Sequence, residues 1–300
     1  MNQWQGVMKN HAKSFYLASL FFPRALWPQV RALYALCRWL DDAVDEAPNR
    51  EQAILNLSTI SEDLKSEKPL LPVNIMYRES SLDISYMEDL IKGAQDDLSS
   101  VRIENQRELM QYCYKVAGTV GLAMFDLMKI SDPQARAHAV DLGLAMQITN
   151  ICRDIKEDLE RDRIYIPIDL LTKHGLDPQG LIHSSDRQGD LRPVVKELLW
   201  LADRYYASAQ MAFTSIPWRT RGAIIIAAQL YRGIGLKLLK NGADPMQGRI
   251  YLNTCDKARV LLSAIFSWGL SAFQTQPKLN HDAKLHLGLE PWKQMRGFDL

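Results

Sequence analysis

The sequence lacks most of the features that would settle its class at a glance. Its four cysteines, Cys37, Cys113, Cys152 and Cys255, are far apart and form no CxxC pair. That argues against a disulfide scaffold or a cysteine-based zinc site and fits a reduced intracellular chain. The six histidines show no HExxH or comparable spacing, which argues against a zinc hydrolase. Neither sign of charge prevails: 36 basic residues face 35 acidic ones, for a net charge of +1. Such a balance gives no reason to expect a nucleic acid partner. The N-terminus, MNQWQGVMKNHAKS, has no apolar signal core, so a cytoplasmic location is expected. No run reaches the roughly 18 apolar residues of a membrane span. The longest candidates, Ala223–Ala228 and Val260–Phe273, are short or broken by serine and glycine and read as core helices. Strand-type alternation is scarce, no tandem repeat or linker divides the chain, and no GxGxxG turn follows a strand.

What remains is 47% apolar content in 300 residues, enough for one large all-α domain with a substantial core. Helical periodicity predicts helices near 9–20, 28–46, 50–65, 83–98, 105–129, 133–160, 190–214, 219–241 and 256–273. Pro28, Pro133, Pro193 and Pro217 stand at or near predicted helix starts, where proline is tolerated. Residues 66–82 form the longest interior stretch without a pattern. The polar tail, 275–300, is expected to be loosely ordered beyond a domain spanning 1–274.

Two of the predicted helices carry acidic faces. In YALCRWLDDAVD, Tyr34–Asp45, the side chains of Tyr34, Arg38, Asp41 and Asp45 share an arc of about 60°. In QITNICRDIKED, Gln147–Asp158, the residues Gln147, Asn150, Asp154 and Asp158 share another, while Arg153 falls off that face. Carboxylates one turn apart repel by roughly 2–3 kcal/mol at an effective dielectric near 20. A hard divalent cation removes that penalty and bridges to substrate phosphates. One such cluster is usually a solvated face; two, with arginines and amides beside them, point to a Mg²⁺–diphosphate site. Between them, YCYKVAGTVG (Tyr112–Gly121) places Tyr114, Ala117, Gly118 and Gly121 on one side. Mid-helix glycines cost about 1 kcal/mol each relative to alanine. Either an apolar groove beside an aromatic ring or close helix packing would account for them.

These segments resemble the phytoene/squalene synthase family, and within it the carotenoid-type bacterial members. HAKSF (His11–Phe15), AAQLYRGI (Ala227–Ile234), the trailing RDRIYIP (Arg161–Pro167) and the Arg249…Lys257 pair extend the likeness over residues 11–262, with Ala12 standing where serine is common. The resemblance implies an antiparallel helical bundle of the isoprenoid synthase type around a deep apolar cavity. It implies that Asp41, Asp45, Asp154 and Asp158, with Asn150, hold Mg²⁺, and that Asp42 supports them. His11, Lys13, Ser14, Arg38, Gln147, Arg153 and Arg249 would contact diphosphate, and Tyr34, Tyr114 and Tyr231 would line the reaction centre. The implied reaction joins two prenyl diphosphates head to head through a cyclopropyl-carbinyl diphosphate. The expected product is phytoene from geranylgeranyl diphosphate. The alternatives are squalene, dehydrosqualene or hydroxysqualene from farnesyl diphosphate, with NADPH needed only for squalene. A terpene cyclase is disfavoured by VAGTVG and RDRIYIP, and a non-catalytic assembly factor of the same fold by the full set of aspartates. Peripheral contact with a membrane is expected for release of an apolar product. Oligomeric state is not legible.

Overall fold

Four of the described helices start on a side-chain cap. The computed structural model describes residues 13–80, 82–183, 190–275 and 278–298. Helix α1 covers Lys13–Ser19, α2 Trp27–Asp45 and α3 Arg50–Lys65. Pro28 occupies the first turn of α2, and the Asn49 side chain accepts the Gln52 amide at 2.8 Å to start α3. Next come α4 (Pro72–Glu79), α5 (Ile84–Asp96), α6 (Gln106–Cys113) and α7 (Thr119–Leu127). Asp83 caps α5, and Asn105 caps α6. The long α8 (Ala135–Glu160) is followed by α9 (Ile168–Lys173), α10 (Pro178–His183) and α11 (Arg192–Met211). Then α12 (Trp218–Lys240) leads to α13 (Thr254–Leu270), which opens with a capping box between Asn253 and Asp256, and α14 (Glu290–Arg296) follows. The only strands among the described residues, β1 (Val101–Arg102) and β2 (Arg163–Ile164), pair in parallel.

Helix α8 forms the axis of the bundle, packed against α7, α11 and α12. Its buried residues include Val140, Leu144, Ile148, Cys152 and Ile155. Gly121 and Gly143 let α8 approach α7 and the turn just before it: a Cβ on Gly121 would lie 2.2 Å from the Ala139 carbonyl oxygen, and one on Gly143 2.4 Å from that of Ala117. Close packing is therefore one reason for these glycines. Helix α12 is apolar and long enough to cross a membrane by length and composition, but 67% of its apolar window is buried inside the protein.

Three expectations are corrected. The helix expected over 105–129 is interrupted by a five-residue π turn, Tyr114–Gly118. The patternless stretch 66–82 contains α4, which is held by tertiary contacts: Tyr77 and Asn74 are fully buried, and Asn74 Nδ2 donates to Ile60 O at 3.1 Å and Asp63 Oδ2 at 2.8 Å. The tail is packed rather than loose over 278–298. Leu279, Leu285, Leu289 and Phe298 are buried, and Arg296 pairs with the buried Asp89 at 2.9 Å.

Candidate active site

An apolar cavity of about 300 Å³ runs through the bundle beside α8, which lines it at intervals from Ala135 to Asn150. Gly121 and Val120 of α7, Ala117 of the π turn, Ala223 and Ala227 of α12, and Leu33 of α2 complete much of its wall. Small residues on facing helices leave the open space; the rims of α2 and α8 supply the polar groups. At that end stand Tyr34 and Asp41 from α2, Gln147 and Asn150 from α8, and Tyr231 from α12.

The two acidic faces converge here. Asp41 is pushed up to about 7, chiefly by burial among protein atoms and then by Asp45, Asp97 and Asp42, although Arg38 opposes the shift. The residue as a whole is nonetheless exposed at the cavity opening, so solvent screens part of that shift. Asp158 is pushed up to about 7 as well, by burial and then by Asp154, with Asp97 contributing and Arg163 and Arg161 opposing. Asp97 thus acts on both helices. It accepts from Tyr165 Oη at 2.7 Å and Tyr112 Oη at 3.1 Å, and it is itself raised to about 6 by burial. Asp45 is bound by Arg161 Nη1 at 2.6 Å and Arg163 Nη1 at 3.2 Å, while Arg38 pairs with Asp42 one turn along.

Two more of the anticipated basic residues, Arg153 and Arg249, gather on Asp154. Arg153 meets its carboxylate with two nitrogens, at 2.7 and 2.5 Å, and Arg249 Nε lies 3.0 Å away. Arg153 reaches the site although it starts off the acidic face, because its guanidinium folds back onto the adjacent residue. Arg249 also donates to Glu157 at 3.0 Å. Tyr231 lies within the influence of Arg153, Asp154 and Arg249, and Tyr34 within that of Arg38, Tyr231 and Asp41; burial pushes Tyr34 up to about 12. The two tyrosines therefore sit between the acidic and basic groups.

Tyr114 is elsewhere. The π turn shifts the helical phase, so that Val116, Ala117, Val120 and Gly121 face the cavity. Tyr114 is instead fully buried under the C-terminal segment, its ring 4.8 Å from Trp292 and 5.7 Å from Phe298. Gly118 turns away with it, towards Leu144 and Val140. His11 lies outside the described residues, as do the side chains of Lys13 and Ser14. Asp97, Arg161 and Arg163 were not singled out by the sequence reading as site residues. The RDRIYIP segment was the available signal for the two arginines; for Asp97 it was only the Asp96–Asp97 pair.

The squalene/phytoene synthase family profile matches residues 8–256 of this sequence. The chain belongs to that family. The 15-cis-phytoene synthase of Enterobacter agglomerans is 33% identical over 274 residues, covering 86% of this chain and 92% of that protein. The phytoene synthase of Thermus thermophilus is 35% identical over 268 residues, covering 87% and 91%. A crystal structure of a dehydrosqualene synthase in complex with ligand aligns with a TM-score of 0.78 at 27% identity, covering 89% of this chain and 95% of that one. The squalene synthase HpnC from Alicyclobacillus acidocaldarius aligns at 0.71 with 22% identity, a likeness of fold alone.

This member of the squalene/phytoene synthase family is a prenyltransferase that condenses two prenyl diphosphates head to head. The family uses a divalent metal for its diphosphate substrates, and the residues present suit one. Two carboxyls are raised to about 7, first by burial and then by the neighbouring carboxylates, a setting in which a bound cation favours the charged form. Asn150 Oδ1, buried at the same rim, has no hydrogen-bond partner. All of these donors are oxygens, the ligand type that hard divalent cations take.

Proposed function

We propose that this enzyme makes phytoene from two C20 diphosphates, with Mg²⁺ as its metal and without a reductant. The reading rests chiefly on the depth of the cavity. From Ala135 to Asn150, α8 rises about 22 Å at 1.5 Å per residue. An extended isoprenoid chain advances about 5 Å per unit, given carbon–carbon bonds of about 1.5 Å. A C20 tail of roughly 20 Å uses that depth, whereas a C15 tail of roughly 15 Å leaves its far end unfilled. The names of the two phytoene synthases above point the same way.

In this reading Asp41, Asp45, Asp154, Asp158 and Asn150 hold Mg²⁺. The bound ion supplies neutralisation of the charge that develops on a departing diphosphate. Arg38, Arg153, Arg249 and Gln147 orient diphosphate oxygens, the arginines exchanging their present carboxylate partners for phosphate. Asp42 keeps Arg38 in place, and Asp97 with Tyr112 and Tyr165 braces the acidic rim from behind. Tyr34 and Tyr231 present ring faces to the allylic cation, worth about 0.5–2 kcal/mol each. The apolar wall keeps water from quenching it. The test compares kcat/KM for geranylgeranyl and farnesyl diphosphates. Preference for the C15 substrate would sink the C20 assignment while leaving the family chemistry intact.

We also propose that the protein works from the cytoplasm and docks on a bilayer through α13. Leu262, Phe266 and Leu270 lie on one face of that helix with Phe273 just beyond, and their exposure runs from 48% to 89%. Such a face suits shallow insertion among lipid acyl chains, where a hydrocarbon product can be delivered. Flotation with anionic vesicles checks this: Phe266→Glu with Phe273→Glu should abolish binding, and undiminished binding would refute it.

A further inference from the structure

Three of the chain's six histidines converge on one buried carboxylate, away from the acidic rim. Asp141 of α8 is fully buried, and it accepts from His286 Nε2 at 2.7 Å, His281 Nε2 at 2.9 Å and Ser208 Oγ at 2.5 Å. The rings of His281 and His286 stand 4.1 Å apart, and His138 lies 5.2 Å from His281 with its Nδ1 2.9 Å from Ser208 Oγ. Hydrogen bonding does not close this group, since His138 Nε2 and His286 Nδ1 are buried without partners. Ligand atoms from Asp141, His281 and His286 all lie within 4.8 Å of one another.

We infer that Asp141, His281 and His286 form a second metal site, one for a zinc-class divalent ion, which clips the C-terminal segment onto α8. The donor set decides the class. Two imidazole nitrogens and one carboxylate oxygen suit zinc or cobalt, whereas the oxygen-only rim of the active site suits magnesium. Tetrahedral zinc with bonds of about 2.0–2.1 Å places its donors about 3.3 Å apart. The Asp141–histidine distances of 2.7 and 2.9 Å run to the two different carboxylate oxygens, and the three ligand atoms, all within 4.8 Å of one another, draw together to reach that spacing. The metal replaces the two Nε2 protons, which leave to solvent on binding. Ser208 already orients the carboxylate and holds His138 beside it, as an outer shell does. The ligands come from positions 140 and 145 residues apart, so no local motif announces them. One ion there closes a long loop and ties residues expected to be loose.

The test uses the full chain, stripped with chelator and titrated with Co²⁺ at neutral pH. The expected result is one equivalent of cobalt with the visible absorption of tetrahedral coordination, displaced by Zn²⁺ and resistant to excess Mg²⁺, with a raised melting temperature. His281→Gln and His286→Ala should each lower bound cobalt to below about a tenth of an equivalent. Asp41→Asn should leave the signal intact, because it alters only the rim. The inference is overturned if wild-type protein takes up no stoichiometric cobalt, in which case protons alone hold the cluster. It is equally overturned if the signal survives in both histidine variants or disappears in Asp41→Asn.

Discussion

Gly143→Ala separates helix propensity from helix packing by the sign of its effect. An alanine in mid-helix is favoured over glycine by about 1 kcal/mol, so propensity alone predicts a more stable protein. The new Cβ would lie 2.4 Å from the Ala117 carbonyl oxygen, 2.7 Å from its carbon and 2.9 Å from the Gly118 nitrogen. Ordinary contact begins near 3.4 Å, so the π turn and α8 must part by about 1 Å. All three neighbours are backbone atoms and cannot swing aside. Overpacking of this kind costs about 3 kcal/mol, at the upper end of its usual range, leaving a net destabilisation of about 2 kcal/mol. At about 2–4 °C per kcal/mol, the melting temperature should fall by about 4–8 °C. Because Gly143 and Ala117 both line the cavity, turnover should fall as well, even below the transition. Calorimetry and urea unfolding of the purified variant measure the effect. An unchanged or raised melting temperature would refute the packing argument, and Gly121→Ala, with its clash at 2.2 Å on Ala139, should behave alike.

The raised carboxyls predict how pH acts on the metal-free protein. Asp41 titrates near 7 in the folded state against an ordinary 3.8, so its stabilising share is whole below about 4 and is lost as pH rises to 7. Thermal scans between these limits should therefore fall less steeply for Asp41→Asn than for wild type, and added Mg²⁺ should raise the wild-type curve most at the alkaline end; parallel curves would contradict the assignment. Arg296→Ala removes the main partner of buried Asp89, leaving it, among the described residues, Lys92 at 3.0 Å, and should cost about 3 kcal/mol by denaturant unfolding. A loss under about 0.5 kcal/mol would mean that the tail contact contributes little. Ala139→Phe should block the cavity about 16 Å from Asn150, eleven residues along α8. The ratio of kcat/KM for C20 over C15 substrate should then drop at least about tenfold, or about 1.4 kcal/mol, and an unchanged ratio would refute the depth argument.

The parts of the molecule legible in the sequence are those specified by local pattern. Helices α2 and α8 carry unbroken periodicity, and their Asp–x₃–Asp spacings put Asp41 with Asp45, and Asp154 with Asp158, on two faces from which Asp41, Gln147 and Asn150 line the cavity. Tyr114 was misplaced because a wheel of 3.6 residues per turn has no place for a π turn, which shifts every later residue in phase. Asp97 escaped notice because its partners, Tyr112 and Tyr165, arrive from separate segments, the second brought alongside by the pairing of β1 with β2. The tail misled through composition. Its buried Leu279, Leu285, Leu289 and Phe298 are spaced among polar residues with no helical or strand period, and only tertiary packing reveals which of them point inward.

The central claim is that this acidic rim and apolar shaft join two C20 diphosphates and release a hydrocarbon without reduction. A single incubation with geranylgeranyl diphosphate, Mg²⁺ and no NADPH, followed by mass spectrometry of the organic extract, tests it most directly. The account predicts phytoene, with pyrophosphate release that stops on chelation of the metal. Accumulation of the cyclopropyl-carbinyl diphosphate, converted to a reduced hydrocarbon only when NADPH is added, would contradict it, as would turnover of farnesyl diphosphate alone.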